Sequence, residues 1–137
     1  MKNLTTAIFS KATGSDFLSS VNGRLYKARG PVGAPYPYAV YRVITDVPER
    51  TFTERYENYE LQFSLFSTAS GSTEIETMYN YLKALYDECS LTIAGSTLVW
   101  MRLFNTTGAQ VEDWVTPDGT EEVWAIHASF EIYTSLE

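Results

Sequence analysis

The sequence predicts an α+β fold, a mainly antiparallel β-sheet packed against an amphipathic helix at about residues 73–89, with further helices at the N-terminus. Three observations carry this. Ile75, Met78, Tyr79, Leu82, Leu85, Tyr86 and Cys89 recur at helical spacing and form one apolar stripe. Between 56 and 67, Tyr59, Leu61, Phe63 and Leu65 alternate with Glu60, Gln62 and Ser64. Between 122 and 134, Trp124, Ile126, Ala128, Phe130 and Ile132 alternate with Ala125, His127, Ser129 and Glu131. Each alternating run leaves an apolar face that a helical layer must cover, which gives a two-layer sandwich.

In chain order, Leu4, Ala7, Ile8, Lys11 and Ala12 have helical spacing, and Gly14 ends that helix. Asp16 is a good N-cap for a short second helix carrying Phe17, Leu18 and Val21 inward, which Asn22-Gly23 closes. The chain then extends through Arg24-Leu25-Tyr26 into Gly30–Pro37, where three prolines exclude helix and central strand and leave a stiff loop. Tyr38 to Ile44 and Tyr56 to Ser67 are strands; the charged, proline-broken stretch from Asp46 to Arg55 between them is too long for a tight turn. It is expected to be a mobile arm in the free subunit. Thr73 and Glu76 suggest a capping box for the main helix. Leu98–Phe104, Val111–Thr116 and Glu122–Thr134 follow, separated by the turn sequences Asn105–Gly108 and Pro117–Gly119, and are read as an antiparallel meander.

The 137 residues suit one domain with one core, and three Trp, ten Tyr and seven Phe supply its bulk. One cysteine and one histidine exclude a disulfide framework and a structural zinc cluster. The first thirteen residues lack the apolar run of a secretory signal, and no stretch approaches the length of a membrane helix, so synthesis in a reducing cytosol and no membrane partner are expected. Net charge is −7, divided unevenly: residues 1–50 carry seven Lys/Arg and three Asp/Glu, and the remainder three and fourteen. That balance argues against a general DNA-binding surface and allows a basic face on one subunit to meet an acidic face on another.

Sites of chemistry are scarce. His127, Ser129 and Glu131 share a strand face, but neighbours on such a face stand roughly 6.5–7 Å apart at the backbone and no nucleophile elbow is present. Gly30-Pro31-Val32-Gly33 is not a phosphate loop, because no Gly-Lys-Ser/Thr ending or following helix accompanies it. No catalytic, cofactor or metal residue is assigned. The candidates are surfaces: for a subunit interface, Arg29, Pro31, Tyr36, Tyr38 and Arg42 on the basic side and Glu74, Glu112, Glu121 and Glu122 on the acidic side. For an arm contacting a neighbour or tube, they are Glu49, Arg50, Phe52, Glu54 and Arg55.

The run Arg24-Leu25-Tyr26 followed by Pro31-Val32-Gly33-Ala34-Pro35-Tyr36-Pro37-Tyr38-Ala39-Val40-Tyr41 resembles the tail-completion (tail-terminator) family of long-tailed bacteriophages. The order of elements is similar across nearly the whole chain, and Phe63-Ser64-Leu65-Phe66-Ser67 leading into an amphipathic helix adds a less specific likeness. The resemblance implies a single tail-terminator-like domain over 1–137 and a virion structural protein with no enzymatic activity. It implies a homo-oligomer, usually a hexameric ring, that caps the tail tube at its head-proximal end, stops tube polymerisation and joins a head-completion or connector protein. Assembly would take place in the host cytoplasm, with viral DNA passing through the bore without sequence-specific binding. Six subunits would carry six times the −7 of one chain, and an acidic bore would repel the passing genome. The competing readings are a cytosolic α+β binding or adaptor module and, behind it, a small hydrolase.

Overall fold

A computed structural model describes residues 2–31, 33–116 and 119–136. Its elements run α1 (Lys2–Ala12), α2 (Asp16–Ser20), β1 (Leu25–Lys27), β2 (Tyr38–Arg50), β3 (Arg55–Ser67), α3 (Thr73–Tyr86), β4 (Thr92–Ile93), β5 (Ser96–Thr106), β6 (Gln110–Thr116) and β7 (Gly119–Leu136). The seven strands form one sheet in the order β1-β2-β3-β7-β5-β4, with β6 pairing β7 beyond β5. β1 is parallel to β2 and every other pairing is antiparallel. The fold is α+β, as the alternating runs require.

The core lies between the helices and one face of the sheet. Leu61, Phe63 and Leu65 of β3 and Ile126, Ala128, Phe130 and Ile132 of β7 are buried there against Leu4 and Ile8 of α1, Phe17 of α2, and Ile75, Met78, Leu82 and Tyr86 of α3. Tyr86 joins the layers: its ring stacks on Phe63 at 4.9 Å and its hydroxyl donates to the Ile8 carbonyl at 2.7 Å.

The structure corrects several local expectations. Ser15, not Asp16, caps α2, its Oγ accepting from the Leu18 amide, and Asp16 occupies the first turn, where a carboxylate suits the helix dipole. No capping box forms at α3, whose N-cap is Ser72 with no side-chain bond; Glu74 instead accepts from Ser67 Oγ. That helix ends at Tyr86, and the chain turns so that Asp87 Oδ1 accepts from the Leu103 amide while the Glu88 amide donates to the Met101 carbonyl, covering part of the free edge of β5. β5, β6 and β7 are not a meander, because β5 and β6 lie end to end along the same edge of β7: Thr106 faces Ala128 and Gln110 faces Ala125. The turn expected at Pro117–Gly119 falls largely outside the described residues.

The largest correction concerns the arm. Strand pairing continues through it to Arg50 opposite Arg55, leaving only residues 51–54 as the loop, so the charged stretch is a projecting hairpin. Past Tyr41, β2 has a neighbour on one side only, and a proline there sits at a sheet edge where its missing N–H interrupts no central ladder. On the helix-side face of this hairpin, burial and then the neighbouring Glu57 push the Asp46 carboxyl upward. A carboxyl held more tightly protonated in the folded state costs stability above its ordinary range and costs nothing below it. Asp46 is exposed, so solvent screening keeps the effect small: Asp46→Asn is expected to stabilise the chain by less than about 1 kcal/mol at pH 7, the gain vanishing near pH 3 in paired urea titrations.

Candidate assembly surfaces

Three surfaces stand out on the sheet face away from the helices and at its two ends. The first is the proline loop. A second, smaller cluster forms where Tyr38, Val40, Phe66, Val123 and Ala125 are buried under it, with Tyr26, Ala34 and Tyr36 packed against them. Tyr38 meets Tyr36 at 5.2 Å and Phe66 at 5.1 Å between ring centroids. Gly30 is where the loop approaches most closely, since a Cβ there would stand 3.0 Å from the Tyr38 ring. Arg24 braces the other end, its Nε donating to the Pro37 carbonyl at 3.0 Å and its guanidinium Nη2 to the Tyr36 carbonyl at 2.9 Å. The Tyr36–Pro37 peptide is cis. Burial first, then Tyr38 and Glu121, push the Tyr36 phenol up to about 12.

Of the basic-side candidates, Arg29, Pro31 and Arg42 are exposed, Tyr36 is half-buried, and Tyr38 is only 8% exposed, its area largely covered within the chain. Arg29 and Arg42 border a hollow of about 300 Å³ whose lining includes Tyr38, Phe66 and His127. On the acidic side, Glu74 is engaged with Ser67, Glu112 with His127, and Glu121 lies close enough to act on Tyr36 and Tyr38, whereas Glu122 is exposed. Glu112 and Glu121 thus belong to the same end of the molecule as the basic loop.

The second surface is the β2–β3 hairpin. Glu49, Arg50, Phe52, Glu54 and Arg55 are all exposed, and Phe52 at the tip is free of contact on every side at 106% relative exposure. Its carboxylates are taken by phenols: Tyr133 donates to Glu49 at 2.8 Å, Tyr56 to Glu54 and Tyr59 to Glu57. A ladder not anticipated from sequence crosses the adjoining face, with Tyr56 stacked on Tyr133, Tyr133 on Trp100 at 4.7 Å, and the Arg102 guanidinium 4.6 Å from the Trp100 ring centroid. These residues sit on three strands, and only the cross-strand register brings them together.

The third surface is the β6–β7 hairpin, which overhangs the sheet past the last β3 pairing at Ser67 and Trp124 and carries Glu112, Asp113, Glu121 and Glu122.

His127, Ser129 and Glu131, too widely spaced along one strand face to act together, find separate partners: Glu131 pairs with Arg102. Ser64 Oγ lies 2.8 Å from His127 Nδ1, and His127 Nε2 lies 3.4 Å from Glu112 Oε1. This places a serine, a histidine and a carboxylate in series, but Ser64 is in mid-strand between Val40 and His127, where backbone amides are committed to the ladders and none is turned outward for an oxyanion. The series links β3 to the β6 hairpin. Among the described residues, no group of His, Cys, Asp and Glu side chains could hold a metal ion.

Residues 6–114 match the family described as Tail completion protein gp17. In three dimensions the chain is similar to one from the virion of a native gene transfer agent particle, with a TM-score of 0.70 at 12% identity over 96% of this chain and 94% of that one. A second solved structure superimposes with a TM-score of 0.59 at 15% identity, over 96% of this chain and 94% of that one. No curated protein matches the sequence.

Proposed function

This chain belongs to the Tail completion protein gp17 family, and from that premise we propose that it caps the tail tube of a long-tailed phage as a ring of identical subunits, stopping tube growth and offering a joining surface to the head connector. The family is one of structural tail proteins. The observation that carries the ring is the distribution of exposed charged and aromatic groups: among the described residues they lie at the ends and on the open face of the sheet and converge on no enclosed site. A heterologous contact repeated around a closing rotation uses such ends and leaves no filament. A virion location is in keeping with a chain of the same fold in a gene transfer agent virion. Tail tube protein on one side and a head-completion or connector protein on the other are the partners, with DNA passing through the bore unread.

In this reading the proline loop forms part of the contact, with Tyr36 as its buried anchor and Arg29 as a rim charge. Exposed charge pairs contribute about 0–1 kcal/mol, whereas a desolvated aromatic anchor contributes about 2 kcal/mol or more. Tyr36→Ala is expected to weaken assembly at least about tenfold and Arg29→Ala less than about fivefold, measured by sedimentation over a concentration series with and without tail tubes. Negative-stain images of tubes grown with the wild-type protein should show capped ends of uniform length. Tubes that lengthen unchecked in its presence would refute the capping function, and a Tyr36→Ala protein that assembles like wild type would place the loop outside the interface.

A further inference from the structure

Two like-charge pairs, opposite in sign, sit at opposite ends of the sheet. At the β2–β3 tip Arg50 is directly across from Arg55, and on the β6–β7 hairpin Asp113 is directly across from Glu122. All four side chains are exposed. Directly opposed like charges on neighbouring strands repel, so each pair destabilises its own hairpin unless something of opposite charge lies against it. Among the described residues neither pair has such a partner: the ion pairs are Arg102 with Glu131 and His127 with Glu112, and the carboxylates of the first hairpin accept from tyrosines instead. Nor can the pairs meet within one chain. From Ser135, level with Tyr56 beside the arginines, β7 runs thirteen residues to Glu122, on the order of 45 Å of strand.

We infer that the arginine pair of one subunit docks on the acidic pair of a second copy, head to tail. Alternation places both pairs on the helix-side face of the pleat, Arg55 sharing its side with Tyr59 and Leu61, and Glu122 with Trp124 and Ile126. The middle of that face is covered by the helices, so two copies cannot lie face to face along their length in a twofold arrangement. Only the projecting ends are clear, and a contact from one end to the other end of the next copy repeats in one direction. This deepens the ring reading and rests on it, by naming a contact between subunits.

The test is a charge exchange. Arg50→Glu with Arg55→Glu makes both ends of the chain acidic, and Asp113→Lys with Glu122→Lys makes both basic. Each double variant alone is expected to need roughly tenfold or more protein to assemble than wild type, while an equimolar mixture, in which every contact again joins unlike charges, is expected to assemble near the wild-type concentration. Assembly of either variant alone at the wild-type concentration overturns the contact, and so does a mixture that stays dissociated while both variants keep the wild-type melting curve. Should a reversal unfold the chain, Arg50→Gln with Arg55→Gln serves in its place, and unchanged assembly by that variant likewise overturns the contact. A wild-type chain that stays monomeric with and without tubes removes the ring itself; a wild type that assembles beside variants that assemble equally removes only this contact.

Discussion

Tyr86→Ala is expected to lower the stability of the subunit by about 3–5 kcal/mol, a fall of roughly 10–20 °C in Tm. Tyr86 is fully buried, stacks on Phe63 and meets Phe17 and Phe130 edge-on, so its removal opens a cavity between α3 and the two central strands and breaks the tie from α3 to the Ile8 carbonyl. Tyr86→Phe keeps the ring and forfeits only the hydroxyl, costing about 1 kcal/mol. Burial also holds the Tyr86 phenol well above its ordinary range. Because the folded state keeps that proton more tightly, its contribution is complete below about pH 10 and declines as pH rises further. Urea titrations of the three proteins at pH 7 measure the difference; an alanine variant within 1 kcal/mol of wild type would show that α1 and α3 do not depend on this side chain.

The second large effect is expected at Arg24. Sequence places it in the extended run that enters the proline loop, and in the structure it is half-buried and its two bonds to consecutive carbonyls hold that loop over Tyr38. Charged donors to such carbonyls contribute about 1.5–3 kcal/mol each to stability, so Arg24→Ala should melt several degrees lower and expose Lys27 and Arg29 to trypsin at least about tenfold faster. Arg24→Lys should behave nearly as the alanine variant, since one ammonium cannot reproduce the planar fork that spans both carbonyls. Wild-type resistance to cleavage in the lysine variant would mean that charge, not the fork, secures the loop.

Local pattern carried much of the fold. The apolar stripe of α3 and the alternation in β3 and β7 are visible in the sequence because every residue on the covered face reports the same period, and the proline-tyrosine run carried the family. What local pattern could not show depends on pairing at a distance. Pro48 reads as a breaker unless β2 is known to lack a neighbour there. Ser64, His127 and Glu112 come together only through the registers of β3 with β7 and β6 with β7, and the same holds for Tyr56, Tyr133 and Trp100. The arginine and acidic pairs are equally silent in sequence, where Asp113 and Glu122 lie nine residues apart on either side of a turn. Asp87 reads as one more helix-end residue until the edge of β5 is seen to need it.

The position of β7 has a consequence for how the chain reaches its native state. It follows every other element in the sequence, yet it is the strand through which β3, β5 and β6 are joined, with Ser67 pairing Trp124 and Tyr56 pairing Ser135. During translation β2 and β3 can zip together early, but the other edge of β3, apolar on its helix-side face, must wait until β7 has left the ribosome. Contacts so distant along the chain form slowly, and an unpaired apolar edge is a template for aggregation in the meantime. Deleting β7 would thus remove the strand that joins the sheet, and yield of intact protein should respond more to translation speed over the codons of β7 than to changes in the helices.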